Sequence, residues 1–289
     1  MDTPRLAVIQ FPGVNCEYET ARLLVECGFT ATLVRWNEDP ARLAEFEGFV
    51  LPGGFSYQDR VRAGAVAARD PIVRALEAEA DRGKPILGIC NGAQVLVESG
   101  LVPGPVGGGP MVALAPNRMP GRSGYYCRWV HLKLGKAGRE TAFTSRFEEG
   151  AVVPMPMAHG EGRFTSRDET LFERFVDSGQ VPLTYCDADG GPPSEFPENP
   201  NGAAADAAAL TNKAGNVMAI MPHPERGAWL RQVPLNLPGE WGDRRRAAAR
   251  NRSELDAAGP GRRLFLSMHD YIRWRREHES SPAGSGVVR

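Results

Sequence analysis

The sequence lacks any uninterrupted apolar run near the ~18 residues that a membrane-crossing helix needs. Its opening, MDTPRLAVIQF, carries no basic stretch followed by a long apolar one. These absences lead to the expectation of a cytoplasmic protein with no membrane partner. Net charge is missing too: 34 Lys and Arg against 35 Asp and Glu leave a formal −1. No surface-wide field then draws nucleic acid or anionic lipid, and the single basic run, RRRAAARNR at 244–252, reads as a solvated face. Cysteine is sparse. Cys16, Cys27, Cys90, Cys127 and Cys186 are odd in number, scattered, and without a C-x-x-C pair, which argues against a disulfide framework or a zinc ribbon; no metal site is expected. There is no G-x-x-x-x-G-K-[ST], hence no phosphate-binding loop of that type, and no internal repeat.

What is present is an alternation of strand and helix patterns. RLAVIQF (5–11), ATLVRW (31–36), GFVLPGG (48–54) and PILGIC (85–90) read as strands. Between them, YETARLLVECGF (18–29) has helical spacing, ARLAEF (41–46) suits a short helix, and DPIVRALEAEADRG (70–83) opens on Asp70 and Pro71 and closes on Gly83. That order predicts an α/β fold: a mostly parallel open sheet with helices on both faces and one main core. After Gly100 the pattern becomes irregular. YYCRWVHLKL (125–134) and GAVVPMPMAHG (150–160) read as strands of an antiparallel excursion, GNVMAIMPH (215–223) as a further strand, and 261–279 as a closing helix. Residues 229–257, rich in Pro, Gly and Arg, look like an insertion within one domain spanning 1–279, and 280–289 like a disordered tail.

The chemistry centres on GICNG (88–92), where a strand turns abruptly into a helix. Open α/β sheets bind ligands at the carboxyl ends of their strands, and a tight strand-to-helix elbow flanked by small residues pushes its middle residue into that crevice. Cys90 holds that place, with Gly88 and Gly92 permitting the close approach. A helix N-terminus behind it favours thiolate, and the Asn91 backbone N–H would face an oxyanion. The bland reading, a buried structural cysteine, stands beside this one on the elbow alone.

A thiolate needs a base. MPHPER (221–226) follows a predicted strand and offers His223, with Glu225 two residues on to hold the other ring nitrogen, although a surface loop would give the same His-x-Glu. The pair also suits a zinc deaminase, but that site requires a downstream P-C-x-x-C and no cysteine follows Cys186. The glycine turn of LPGGFSYQD (51–59) could supply a second oxyanion donor, at Gly54. Cys16, also between strand and helix, ranks below Cys90 because Tyr18 replaces the small residue two positions on and Glu17 opposes a thiolate. Cys27 reads as core packing.

With these pieces assembled, the chain resembles the class I (triad) glutamine amidotransferases, and among them the glutaminase subunits of phosphoribosylformylglycinamidine synthase. AVIQFPGVNCEYE, LPGGFSYQDRVRAGA, GKPILGICNGAQVLVESGLVPG, MAHGEGRF and NPNGAAADAAALTNKAGNVMAIMPHPER carry the likeness, across most of 5–226. The resemblance implies a flavodoxin-like sheet and a Cys90, His223, Glu225 triad with Gly54 and Asn91 at the oxyanion. It also implies Gly53, Phe55, Gln94 and His159 around the substrate L-glutamine, with His159 equally open to a structural role at a strand end. Ammonia would pass to a separate large synthetase subunit that holds ATP and Mg, in company with a small third subunit, so no cofactor is expected in this chain.

The alternatives are an amidotransferase with a different acceptor and a regulatory subunit that has lost turnover. Against the latter, all three triad residues are present. Two departures stand out: Gln58 occupies a position where the family usually has glycine, and 229–257 is longer than usual, its arginines offered as a partner contact.

Overall fold

Leu6, Ala7, Val8 and Ile9 are all fully buried, the pattern of a strand covered on both faces. In the computed structural model, which describes residues 2–104, 111–135 and 141–279, they form β1 (Arg5–Gln10). The chain continues through α1 (Glu17–Glu26), β2 (Thr30–Arg35), β3 (Gly48–Leu51), α2 (Pro71–Asp81), β4 (Ile86–Ile89) and α3 (Asn91–Ser99). Then come β5 (Ala113–Ala115), β6 (Tyr126–Leu134), β7 (Val153–His159), β8 (Arg163–Thr165), α4 (Leu171–Asp177) and β9 (Leu183–Cys186). The last stretch holds β10 (Ala209–Thr211), β11 (Val217–Ile220), α5 (Glu240–Ala247), α6 (Arg252–Leu255) and α7 (Arg262–Glu279). The tail expected at 280–289 lies outside the described residues.

Six strands make the main sheet in the order β10-β11-β4-β3-β1-β2. All neighbours pair in parallel except β10, which runs antiparallel to β11. The expected α/β sheet is therefore present. β10 escaped the sequence reading because three residues are too few to show a period. The antiparallel excursion is also present: β6 is the centre of a three-stranded sheet between β7 and β9, and β5 pairs with β8. The stretch 41–46 folds as a 3-10 turn, Pro40–Glu45, whose first free N–H, on Ala41, is taken by the Asp39 carboxylate at 2.9 Å. Helix α2 has Pro71 in its first turn as expected, but Asp70 does not cap it; the Asp70 carboxylate accepts the Tyr57 hydroxyl at 2.8 Å instead.

Residues 229–257 are more ordered than their composition suggests. Leu230, Val233, Leu237, Trp241 and Ala248 form a small hydrophobic cluster of their own, against which Trp129 and Leu255 pack. Arg244 lies over the Trp241 ring at 4.2 Å, and Arg246 donates to the Leu235 carbonyl at 2.6 Å. Two of the arginines read as a solvated face thus roof this cluster through their guanidinium groups, one on the indole ring and one on main-chain carbonyls.

The turn after β3 stores backbone strain. Tyr57, Gln58, Asp59 and Val61 have φ of 52°, 59°, 52° and 69°, the left-handed region that L side chains disfavour by roughly 1–2 kcal/mol each. This gives Gln58 its physical meaning, because a glycine there would sit without strain. Gln58→Gly should therefore raise stability by about 1 kcal/mol in urea unfolding, and Gln58→Val should lower it. An unchanged midpoint in both variants would show that the turn is not strained at this residue.

Candidate active site

Strand β4 ends at Ile89 and α3 begins at Asn91, so Cys90 alone makes the corner, with φ 50° and ψ −104°. Two contacts hold it there. The Cys90 N–H donates to the Ile220 carbonyl of β11 at 2.8 Å, and α3 presses so close to β3 that a Cβ on Gly92 would lie 1.9 Å from the Leu51 carbonyl oxygen. Only glycine fits, and a strained non-glycine residue persists where its surroundings over-determine it.

Strand β11 runs parallel to β4, so the segment after Ile220 emerges at the same edge of the sheet. It brings His223, which is 3% exposed and whose N–H donates to the Pro156 carbonyl at 2.7 Å. The turn that follows returns the wholly buried Glu225, whose Oε1 lies 2.5 Å from His223 Nδ1. An ionised carboxylate only accepts, so Nδ1 carries the proton and Nε2 is the nitrogen left for chemistry. Burial disfavours a charge on this imidazole, but the Glu225 carboxylate, the Cys90 sulfur and hydrogen-bonding contact with Cys16 and Cys90 outweigh it. They hold the His223 pKa well above the ordinary range. Nε2 itself has no hydrogen bond of normal geometry in this state.

A cavity of about 180 Å³ opens over these groups. Cys90, His223, Gly54, Phe55, Gln94 and His159 line it, whereas Glu225 stands behind His223, and neither Asn91 nor Gly53 reaches the wall. The Gly54 N–H donates to no backbone carbonyl among the described residues. Gln94 is already engaged: Nε2 donates to the Glu161 carbonyl at 2.6 Å and Oε1 accepts from Asn91 at 3.0 Å. The Asn91 side chain also accepts the Ser56 N–H at 3.0 Å, tying the elbow to the glycine turn. A larger hollow of about 1050 Å³ lies among Lys133, Thr184, Tyr185 and Asp206; it holds no cysteine and no histidine, so the smaller cavity is the one with the chemistry.

Among the wall residues that the sequence reading missed are Asp59, Tyr125, Glu161 and Arg226, which belong to loops and turns with no periodic signal. Cys16, ranked below Cys90, is also present at the site. This thiol lines the same cavity, and its sulfur lies in a cluster with the ligand atoms of His223 and Glu225, all within 4.8 Å of one another. The carboxylate that opposes a Cys16 thiolate is Glu225 rather than Glu17, whose carboxylate accepts from Gln10 at 2.9 Å, while Arg226 Nη2 donates to the Cys16 sulfur at 3.1 Å. Burial nonetheless raises the Cys16 pKa.

With this geometry in place, kinship can be judged. The chain belongs to the CobB/CobQ-like glutamine amidotransferase domain family, whose pattern matches residues 3–272. It is 42% identical over 277 residues to the phosphoribosylformylglycinamidine synthase subunit PurQ of Methanothrix thermoacetophila, covering 94% of this chain and 99% of that one. It is 41% identical to PurQ of Pyrococcus horikoshii over 78% of this chain and 89% of that one. Among solved structures, PurLQS from Thermotoga maritima aligns with a TM-score of 0.68 and 32% identity, over 94% of this chain and all of that one.

His159 ends β7, where it lines the cavity and is held by Asn117. Asn117 donates through Nδ2 to the His159 carbonyl at 2.8 Å, and its Oδ1 accepts the Gly162 N–H, so His159 Nδ1, 3.0 Å from the same oxygen, must donate. Burial, with the neighbouring His223, pushes its pKa down to about 3. An unfolded histidine titrates near ~6.5. Between those values the unfolded chain binds a proton that the folded chain refuses, so stability falls as pH falls, by up to roughly 1.4 kcal/mol per unit. His159→Gln should therefore be less stable than wild type at neutral pH, and the gap should narrow in urea unfolding at mildly acidic pH. A gap that does not change with pH would mean that His159 accepts a proton in place.

Proposed function

We propose that this chain is the glutaminase subunit of a phosphoribosylformylglycinamidine synthase. The observation that carries the reading is the meeting, in one small cavity, of a strained strand-elbow cysteine with a buried histidine–glutamate pair, in a chain 42% identical to a PurQ subunit over nearly its whole length. That length of identity favours this acceptor over other amidotransferase pathways.

Cys90 is the nucleophile. Its thiolate adds to the side-chain amide carbon of L-glutamine, and the resulting oxyanion is held by the backbone N–H groups of Gly54 and Asn91. His223, protonated and steadied by Glu225, gives its Nε2 proton to the amide nitrogen; the C–N bond breaks and ammonia leaves. A γ-glutamyl thioester remains on Cys90. Water then attacks it, His223 takes that water's proton, and glutamate departs with the thiol restored. Phe55, Gln94 and His159 shape the glutamine pocket, Gln94 through the Glu161 and Asn91 contacts it holds, while Gly53 lies behind the wall against His223 and Cys16.

The ammonia goes to a synthetase subunit that spends ATP, with Mg, to convert formylglycinamide ribonucleotide to its amidine, assembled with a small third subunit; the likeness to PurLQS from Thermotoga maritima supports such an assembly. We place the reaction in the cytoplasm. No helix among the described residues is long and apolar enough to cross a membrane.

In the assembled complex, Cys90→Ala should abolish amidine formation from glutamine and spare formation from ammonia, and His223→Ala should do the same. Glu225→Gln should retain a fraction of the glutamine-dependent rate, since an orienting group matters less than the base it orients. Wild-type rates on glutamine in Cys90→Ala would remove Cys90 from the mechanism.

A further inference from the structure

The glutaminase chemistry uses one thiol, yet two flank His223. Cys16 is 1% exposed, on the junction between β1 and α1. Its sulfur, an imidazole nitrogen of His223 and a carboxylate oxygen of Glu225 all fall within 4.8 Å of one another. We propose that Cys16, His223 and Glu225 form a binding site for a soft divalent cation of the zinc type, and that an ion there silences the glutaminase by withdrawing His223 and Glu225 from Cys90.

The donor set is the one zinc prefers: a thiolate, an imidazole and a carboxylate, which leave the fourth corner of a tetrahedron to water. Ligand atoms around one such ion stand roughly 3–4 Å apart, a spacing that small side-chain rotations would reach from the one observed. Two further features point to a ligand. Glu225 Oε2 is buried without a hydrogen-bond partner, an arrangement proteins seldom leave unused; His223 Nε2 is taken up by the glutaminase chemistry. The space between thiol and imidazole is also kept open by Gly53, where a Cβ would lie 2.7 Å from His223 Cε1 and 3.2 Å from the Cys16 sulfur.

Arg226 does not exclude an ion. Its Nη2 donates to the Cys16 sulfur at 3.1 Å, a bond that a coordinated thiolate would keep, and its charge is balanced by Glu19, which accepts from Nε at 2.7 Å. Binding releases the Cys16 thiol proton and the proton on the His223 nitrogen that coordinates, and exchanges the His223–Glu225 hydrogen bond for coordination to the ion.

The site can be read without turnover, which separates it from the catalytic reading on which only the inhibitory half rests. The full chain carrying Cys90→Ala and Cys127→Ser, which removes the nucleophile and the exposed thiol, is titrated with cobalt(II) and followed by thiolate-to-cobalt absorption in the near ultraviolet. A saturable band is expected, and adding Cys16→Ser, which removes the one thiolate of the site, should abolish it. Glu225→Gln should weaken it too while leaving every remaining thiol in place, which covers the case of a misfolded serine variant. A band that survives Cys16→Ser, or none at all, overturns the site. Zinc should then inhibit glutamine-dependent synthesis by the complex, and Cys16→Ser, measured against its own zinc-free rate, should resist. Equal sensitivity of the two proteins would assign the inhibition to Cys90 and overturn the inhibitory half.

Discussion

One backbone hydrogen bond carries the rest of the site: the Cys90 N–H to the Ile220 carbonyl, 2.8 Å, the last rung between β4 and β11. It fixes the register in which Ile89 stands beside Ile220, so both chains leave the sheet together, one as an elbow and the other as the loop to His223. A slip of one residue in a sheet turns every side chain to the opposite face. Here it would carry the imidazole away from the sulfur. The precision of the site is therefore that of a fully buried parallel ladder, the least deformable part of this fold.

Around that rung the molecule accepts local cost. Cys90 holds a positive φ, the turn carrying Gly54 runs through several left-handed residues, and burial keeps His159 neutral. Strain and buried polarity of this kind collect where a structure is organised for chemistry. They are supported by long-range ties: Asn91 links the elbow to the Ser56 turn, and Gln94 reaches across to Glu161.

The antiparallel excursion and the 229–257 segment also converge on the site. Strand β7 supplies His159 and the Pro156 carbonyl that anchors His223, and the ring of Trp129 from β6 lies against Gly227. Residues 229–257 continue from the His223–Glu225 turn and return to it: Gln232 donates to the Glu225 carbonyl at 3.4 Å, and Gly261 bonds back to Gly227 at 2.9 Å. Their arginines, offered at first as a partner contact, have internal work in roofing Trp241 and binding carbonyls. The segment thus steadies the turn that bears the proposed base.

The sequence by itself determined the alternation of strands and helices, the elbow at Cys90 and the His-x-Glu at 223–225. Each of these is written in neighbouring residues, through hydrophobic periodicity, flanking glycines and the two-residue spacing of His and Glu. Only the tertiary structure decided the rest. That Cys16 meets His223, that Arg226 rather than Glu17 faces its sulfur, that Asn91 ties down a turn 35 residues before it, and that Leu230, Val233, Leu237 and Trp241 find one another are outcomes of strand order and register. Contacts between distant residues leave no period to read. They come into being when buried strands pair and bring separate loops to the same edge of a sheet.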